Sequence, residues 1–472
     1  MKDPVQLAQM ARAAAQRMDW ASAQHLMLEA LQLAPDAPAL HLNYGNILKQ
    51  LGRYDEARVA YEQALYWQPN WADAQYNLGN LALVQHDFIA ATEHYRATLD
   101  ANPKHIEAHY NLATLLTNLG QFAPAHQHFA AALALNPQHT DALHNLGRLY
   151  RRENRHDLAR RYYQLALASN PEHALSQYSL GTLDLYEGNW LSGWAGYEKR
   201  WAALHKPYPQ TALPRWSGEA VSGNAKLLVI AEQGFGDILQ FSRFFPSLLQ
   251  HFSEVSVLIP AALLRLFTDS FDKKIQFITE LDHHAGFSHH IPMMSVAFAL
   301  NITEQTLSGQ AYLRANSAAV QAWCDQLPKG FKVGLAWQGN PQQVDNRWRS
   351  IPSHCLTPLL AIDQVIWCNL QYRIAAPAQL RDDSTQWQDF ADAAAYIQNL
   401  DLVISACTAT VHLAGALGVP TILLCRHDAD WRWQGERSDS PWYASIRILR
   451  QHALLDWATP ISAAVQAVKA RI

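Results

Sequence analysis

The sequence predicts an all-helical N-terminal half, a stack of repeated hairpins, followed by a C-terminal half of parallel-sheet α/β lobes. Three observations predict it. A 34-residue period runs through the first 200 residues, strand and helix patterns alternate after residue 225, and the composition suits a packed core. At 472 residues and roughly 150 per domain, about three domains are expected. Apolar residues make up 49% and charged residues 17%, which excludes wholesale disorder. The formal net charge of −4 provides no global positive field for nucleic acid or an anionic membrane. Apolar runs such as 226–231 and 421–425 fall far short of the ~20 residues that span a bilayer, and the N-terminus carries no apolar signal core. Five cysteines, all after residue 320 and none in a CxxC pair, fit reduced thiols. A cytoplasmic protein is the expectation.

The period comes first. Prolines stand at Pro35, Pro69, Pro103, Pro137 and Pro171. Small residues recur at Gly45, Gly79, Ala113, Gly147 and Gly181, and again at Ala23, Ala57, Ala91, Ala125 and Ala159. Aromatics recur at Tyr61, Tyr95, Phe129, Tyr163 and Tyr197. Small residues let two helices approach, the aromatic fills the gap beside them, and proline stops the second helix. Such hairpins bury a core only by stacking. The signature closely resembles the tetratricopeptide repeat (TPR), with five units over about 4–173 and a degenerate sixth over 174–207. Trp190, Trp194, Tyr197 and Trp201 of that last unit are expected to dock the array onto the C-terminal half.

A further ladder, Asn43, Asn77, Asn111 and Asn145, lies two residues before the small position, and Ser179 breaks it. An amide both donates and accepts, so it could hold an extended acceptor polypeptide in the groove. The plain alternative is packing within the repeat. The pattern resembles the asparagine ladder of eukaryotic O-GlcNAc transferases, which implies the groove reading. Arginines 148, 151, 152, 155, 160 and 161 cluster in the fifth unit, as a solvated face or a steering patch for an acidic partner.

Residues 208–224, rich in Pro, Ser and Gly, read as a linker. LLVIAEQ, VSVLI, IQFI, KVGLAW, VIWCNL, LDLVIS and PTILLC then read as strands, with helices such as DILQFSRFFPSLLQ between them. They fall into two groups, giving Rossmann-like lobes over 225–328 and 329–472. Ligands in such sheets sit beyond the carboxyl ends of the strands, and four motifs stand there.

The first is Glu232-Gln233-Gly234-Phe235-Gly236-Asp237. It is not a dinucleotide fingerprint; Asp237 is either a helix cap or a general base over the cleft. The second joins Trp337-Gln338-Gly339-Asn340 to Asp345-Asn346-Arg347-Trp348-Arg349, whose guanidinium forks suit diphosphate oxygens. The third, Ser405-Ala406-Cys407-Thr408 running to His412, places a helix start where an anion can sit, with His412 one turn on from Thr408. The fourth, Asp430-Trp431-Arg432-Trp433 with Asp439–Tyr443, is an aromatic loop that could stack on a sugar or base, or could be packing.

Together these residues resemble bacterial TPR proteins with a glycosyltransferase domain similar to the family 9 ADP-heptose:lipopolysaccharide heptosyltransferases. The resemblance spans nearly the whole chain. It implies an all-α TPR superhelix followed by a GT-B-like pair of Rossmann-like α/β lobes, the acceptor side first and the donor side second. It implies a metal-independent inverting transferase using a nucleotide-sugar, with no cofactor. Asp237 would be the base, with Gln233, Gly234, Gly236, Trp431 and Arg432 in the cleft loops. Gln338, Asn340, Arg347, Arg349, Cys407, Thr408 and His412 would bind the donor, and Gln371 would lie near the nucleobase or ribose. One departure stands out: the family usually reads Asp-Thr where this chain has Cys407-Thr408.

Inverting sugar transfer needs a base at the acceptor oxygen and positive charge on the departing diphosphate, which arginines and a helix start can supply without a metal. No DxD pair sits in a suitable loop. His283-His284 and His289-His290 invite a metal site, but no recognised ligand pattern surrounds them. The expected function is sugar transfer to Ser or Thr of a polypeptide in the repeat groove, flagellin or another surface protein being the acceptor the resemblance implies. The rivals are a glycan-acceptor transferase and a catalytically inactive scaffold.

Overall fold

The computed structural model describes residues 3–281, 286–342, 346–372 and 374–472. The repeats fold as pairs of helices: α1 (Pro4–Gln16) and α2 (Trp20–Leu33), α3 (Pro38–Gln50) and α4 (Tyr54–Trp67), α5 (Ala72–Val84) and α6 (Phe88–Ala101). They continue as α7 (Ile106–Leu119) and α8 (Phe122–Leu135), α9 (Thr140–Arg152) and α10 (His156–Ser169), α11 (Ala174–Glu187) and α12 (Trp190–Tyr197). The small and aromatic ladders are one device. A Cβ built on Gly45, Gly79 or Gly147 would lie 2.5, 2.7 or 2.8 Å from the ring of Tyr61, Tyr95 or Tyr163. At these three positions the ring takes the space that a Cβ would fill.

The chain divides into two compact units. One runs up to Tyr150 and includes Asp157–Pro171; the other comprises Arg151–His156 and Glu172–Ile472. The compact division thus falls one hairpin earlier than the repeat register, because α11 and α12 share a core with the α/β region. Trp190, Trp194 and Tyr197 pack there against Phe241, Trp431 and Trp442, and Trp194 Nε1 donates to the Ile302 carbonyl at 2.9 Å.

That region holds two sheets with every described strand pairing parallel. In the first, β1 (Lys226–Ile230), β2 (Glu254–Leu258), β3 (Ile275–Ile278) and β4 (His289–Pro292) run in the order β3-β2-β1-β4. In the second, β5 (Phe331–Ala336), β6 (Val365–Asn369), β7 (Leu402–Ala406), β8 (Thr421–Cys425) and β9 (Ile446–Arg450) run β6-β5-β7-β8-β9. The second sheet is buried on both faces by period-two alternation. Leu402, Ile404, Ile422 and Leu424 face a core closed by the C-terminal helix Ala458–Lys469, while Val403, Leu423 and Cys425 face the core shared with the first sheet and α12.

Several local expectations change. The helix read over DILQFSRFFPSLLQ breaks into Phe235–Phe241, a 3-10 turn and Phe245–Leu248, because Pro246 cannot continue the first hydrogen-bond ladder. Strand β4 occupies the His289-His290 motif: His290 is buried, its Nδ1 2.9 Å from the Leu213 carbonyl and its Nε2 3.2 Å from the Tyr208 hydroxyl. His283, His284 and Asp345 lie outside the described residues. The arginine cluster is not wholly a solvated face. Arg152 is buried and pairs with Asp428 at 3.1 Å, Arg151 donates to the Ala429 carbonyl, and Asn154 between α9 and α10 donates to that of His427. All five cysteines are unpaired. No helix among the described residues is long and apolar enough to cross a membrane.

The tightest contact in the sixth hairpin is backbone on backbone. A Cβ on Gly181 would stand 2.6 Å from Cα of Gly196. Gly181→Ala is therefore expected to destabilise the fold by about 1–3 kcal/mol, read from chemical denaturation. Gly435→Ala, with nothing within 4 Å of its added Cβ, is the control and should change stability by less than about 0.5 kcal/mol.

Candidate functional site

Both sheets reverse strand order at one point, and these points locate the site. In the first sheet it lies between β1 and β4, where Ile230 pairs with Pro292; in the second, between β5 and β7, where Ala336 pairs with Ser405. The loops leaving β1, β5, β7 and β8 carry the four motifs.

The loop after β1 delivers Asp237 to the first turn of the Phe235–Phe241 helix. Its Oδ2 accepts from the Gly234 backbone N–H at 3.0 Å, a cap, and its Oδ1 accepts from Arg432 Nη2 at 2.6 Å. Both carboxylate oxygens are therefore engaged. Arg432, from the loop after β8, is buried. Besides Asp237 it donates to Asp430 at 2.8 Å and to the Gln240 amide oxygen at 2.6 Å, and its guanidinium lies 4.1 Å over the Trp431 ring. Burial opposes its charge, but Asp430 and Asp237 outweigh that and hold it well above the usual guanidinium range. Trp431 itself is buried among Trp194, Tyr197 and Trp442, so it is packing rather than an open stacking surface.

Gly236 permits the approach of the β7 loop: a Cβ there would lie 3.0 Å from His412 Cδ2 and 3.6 Å from Ala409 Cα. The helix Ala409–Ala416 starts here, and the Thr408 hydroxyl caps it by accepting from the Thr410 N–H at 3.3 Å. His412 is buried, stacked on Trp433 at 5.3 Å, with its Nδ1 3.0 Å from the Tyr443 hydroxyl. Burial, aided by Arg432, pushes its pKa down to about 3, so the ring is neutral at pH 7. Cys407 Sγ accepts from Trp433 Nε1 at 3.0 Å. Burial raises its pKa, Asp430 adds to this, and the charges of Arg349 and Arg432 oppose it. The thiol is uncharged at pH 7. Asp237, Gly236, Cys407, Thr408, His412 and Arg432 thus gather at one place.

The second motif forms a neighbouring group. Gln371 accepts through Oε1 from the backbone N–H groups of Trp337 and Gln338, both at 2.8 Å. Its carbonyl closes the ends of β5 and β6, so that atom is spent on the loop rather than aimed at a base. Asn340 caps its own turn through Gln342. Arg349 covers Gly339, where a Cβ would fall 2.5 Å from Nη2, and Arg347 is exposed with its guanidinium 4.4 Å over Trp348. Beside Trp337 and Gln338 opens a cavity of 620 Å³, lined also by Ser353, His354, Thr357 and Gln379. That volume suits a small-molecule ligand.

Glu232, Tyr197 and Arg200 also belong here: the sequence offers Glu232 only as part of the first motif and Tyr197 only as a docking aromatic, and it gives no sign of Arg200. Tyr197 read as one more packing aromatic, and nothing in the sequence pairs Arg200 with Glu232. The Asn ladder likewise differs from expectation. Asn111 donates to the Tyr76 hydroxyl at 3.0 Å and the Asn80 amide oxygen at 3.1 Å; Asn145 donates to Tyr110 at 3.0 Å and Thr114 at 3.3 Å. Their N–H groups stitch successive repeats together. Asn77 is half-buried and Asn43 exposed.

The depressed His412 pKa has a measurable sign. Unfolded, the imidazole titrates near 6.5. Below that pH the unfolded chain takes up a proton that the folded chain refuses until about pH 3. The stability linked to neutral His412 is complete above pH 6.5 and declines as pH falls towards 3. The melting temperature of the wild type should therefore exceed that of His412→Gln by a margin that narrows between pH 7 and pH 4; a constant margin would contradict a neutral, buried ring.

Comparison with known proteins bears on the repeats. The TPR repeat family matches residues 45–83, and a second tetratricopeptide repeat family matches 76–140 and 110–174. Protein FlbA of Caulobacter vibrioides is 28% identical over 295 residues, covering 54% of this chain and 48% of that protein. This chain therefore spans about half the length of the curated relative it matches. Among solved structures, YrrB, described as a TPR protein with an unusual peptide-binding site, is 24% identical with a TM-score of 0.33, covering 38% of this chain and 92% of its own. PilW, described as a type IV pilus biogenesis factor, is 20% identical with a TM-score of 0.39, covering 43% and 94%. The N-terminal half is a superhelix of tetratricopeptide repeats followed by an α/β region with parallel sheets, and such repeats suggest binding of a peptide or protein partner.

Proposed function

We propose that the α/β region is a GT-B-like glycosyltransferase that moves a sugar from a nucleotide-sugar donor to a Ser or Thr hydroxyl of a polypeptide bound by the repeats. The observation that carries the reading is the convergence of Asp237 with the capped start of the Ala409–Ala416 helix and neutral His412. In this reading the helix N–H groups and His412 receive the donor diphosphate. A neutral imidazole serves there as a hydrogen-bond donor and brings no charge; Arg349 and Arg347 supply that. The nucleoside occupies the 620 Å³ cavity beside Trp337. Asp237 takes the acceptor proton as the acceptor oxygen bonds to the anomeric carbon, and the bond from that carbon to the diphosphate breaks with its electrons going to the diphosphate. No residue of this scheme calls for a metal.

A second reading, a repeat scaffold without catalysis, is favoured by one specific observation. Both Asp237 oxygens are occupied, and an uncharged thiol, Cys407, stands where the resembling family carries a carboxylate. Nucleotide release from UDP-, ADP-, GDP-, CMP- and dTDP-sugars in the presence of candidate acceptor polypeptides separates the two. The transferase reading expects release from one donor and a loss of about 10²-fold or more in Asp237→Asn. The scaffold reading expects none from any donor.

The partner side has its own test. Asn43→Ala with Asn77→Ala should weaken polypeptide binding while leaving nucleotide binding unchanged. Asn111→Ala, which removes two internal hydrogen bonds, should instead lower stability by about 1–3 kcal/mol. Equal polypeptide affinity in the Asn43, Asn77 double variant would end the groove reading.

A further inference from the structure

We propose that Tyr197 and Arg200, from the end of the last repeat hairpin, are positioning residues that hold the β1 loop in the shape that presents Asp237. The loop is strained: Gln233 has φ +64°, a left-handed backbone that a non-glycine residue keeps only when its surroundings impose it. Two adjacent side chains of this loop are gripped by the hairpin. The Tyr197 hydroxyl lies 3.0 Å from Gln233 Nε2 and 3.3 Å from Oε1. Arg200 forks onto Glu232, with Nε to Oε2 at 2.9 Å and Nη2 to Oε1 at 2.7 Å. The backbone then runs directly into Gly234, whose N–H is bound by Asp237.

The grip is costly, which argues that shape rather than glue is its purpose. Arg200 is 2% exposed, and an apolar contact would fill its place without a desolvation penalty. Its charge is met from several directions. Glu198 accepts from Nη1 at 2.9 Å, Ser295 accepts from Nη2 at 2.8 Å, and Arg215 in turn pairs with Glu198. Glu232 also accepts from the Met294 N–H at 3.0 Å, which ties the loop to the end of β4 at the point where the first sheet reverses order. The fork therefore fixes the loop against the hairpin and against the sheet at once. A bidentate guanidinium fixes orientation as well as distance, which a lysine cannot. The tyrosine adds a hydroxyl to a ring already buried for packing, and its one polar partner among the described contacts is the strained residue.

The positioning itself is independent of the catalytic assignment; only the kinetic consequence rests on the glycosyltransferase reading. Full-length Tyr197→Phe keeps the ring and removes the hydroxyl, and Arg200→Lys keeps the charge and removes the fork. In hydrogen–deuterium exchange, the segment 231–238 should exchange roughly tenfold faster in each variant, while the core strand Phe331–Ala336 keeps its wild-type rate. Unchanged exchange over 231–238 overturns the proposal, as does an equal rise in both segments, which would mark general destabilisation. Should Arg200→Lys fail to fold, Tyr197→Phe decides alone. With an active donor and acceptor, kcat should fall about tenfold at unchanged donor KM, since the loop serves the acceptor-side base; unchanged kcat beside raised exchange overturns the link to Asp237. A wild type that releases nucleotide from no donor would end the transferase reading and leave the exchange result standing.

Discussion

Arg432 is buried with its charge, and the α/β region is arranged around that fact. A guanidinium removed from water must meet carboxylates and acceptors where it sits. Its partners come from both sheets: Asp237 and Gln240 from the helix after β1, and Asp430 from its own loop after β8. Satisfying all of them brings the segments that follow β1 and β8 together through their side chains. Beside this cluster Gly236, in the helix after β1, passes close to His412, in the helix after β7. The meeting of these segments is thus set by a charge that has to be neutralised, and the candidate base is one of the groups that neutralise it.

The repeats solve a different problem by repetition. Three hairpins close by laying Tyr61, Tyr95 or Tyr163 against Gly45, Gly79 or Gly147, and neighbouring hairpins are joined by amide and hydroxyl groups that recur every 34 residues. Tyr61 and Tyr95 donate their hydroxyls to Asn46 and Asn80, and Asn111 in turn donates to Asn80. In the sixth hairpin the glycine meets the Gly196 backbone instead, so α11 and α12 close more tightly. Its aromatic residues then turn to the α/β core, where Trp194 sits among Phe241, Trp431 and Trp442. A repeat has become part of the domain it adjoins.

Much of the fold was legible because it is written in local periods. The ladders of Pro35 and Gly45 disclose the helical array, and runs such as KVGLAW and LDLVIS disclose buried strands. Strand β4 escaped notice because its sequence, His289-His290-Ile291-Pro292, has a single β-branched residue, Ile291, and no alternation. It forms because Leu227, Leu228, Val229 and Ile230 offer it a partner. The candidate site was legible as a set of loops, yet the work of single atoms was not. Gln371 gives its carbonyl to two backbone N–H groups, Trp431 packs inward, and Asn111 spends its N–H groups on Tyr76 and Asn80. Side-chain hydrogen bonds join residues tens or hundreds apart, and no spacing rule encodes them.

The sequence by itself determined the 34-residue hairpin stack, the strand–helix alternation and the residues at the strand ends. These depend on interactions within a few turns or on which faces are apolar, and both are periodic in the chain. Only the tertiary structure decided that His412 is neutral, that Asp237 shares its charge with Arg432, and that Tyr197 and Arg200 hold the loop after β1. Burial and pairing set the state of a titratable group, and they exist only once distant segments have met.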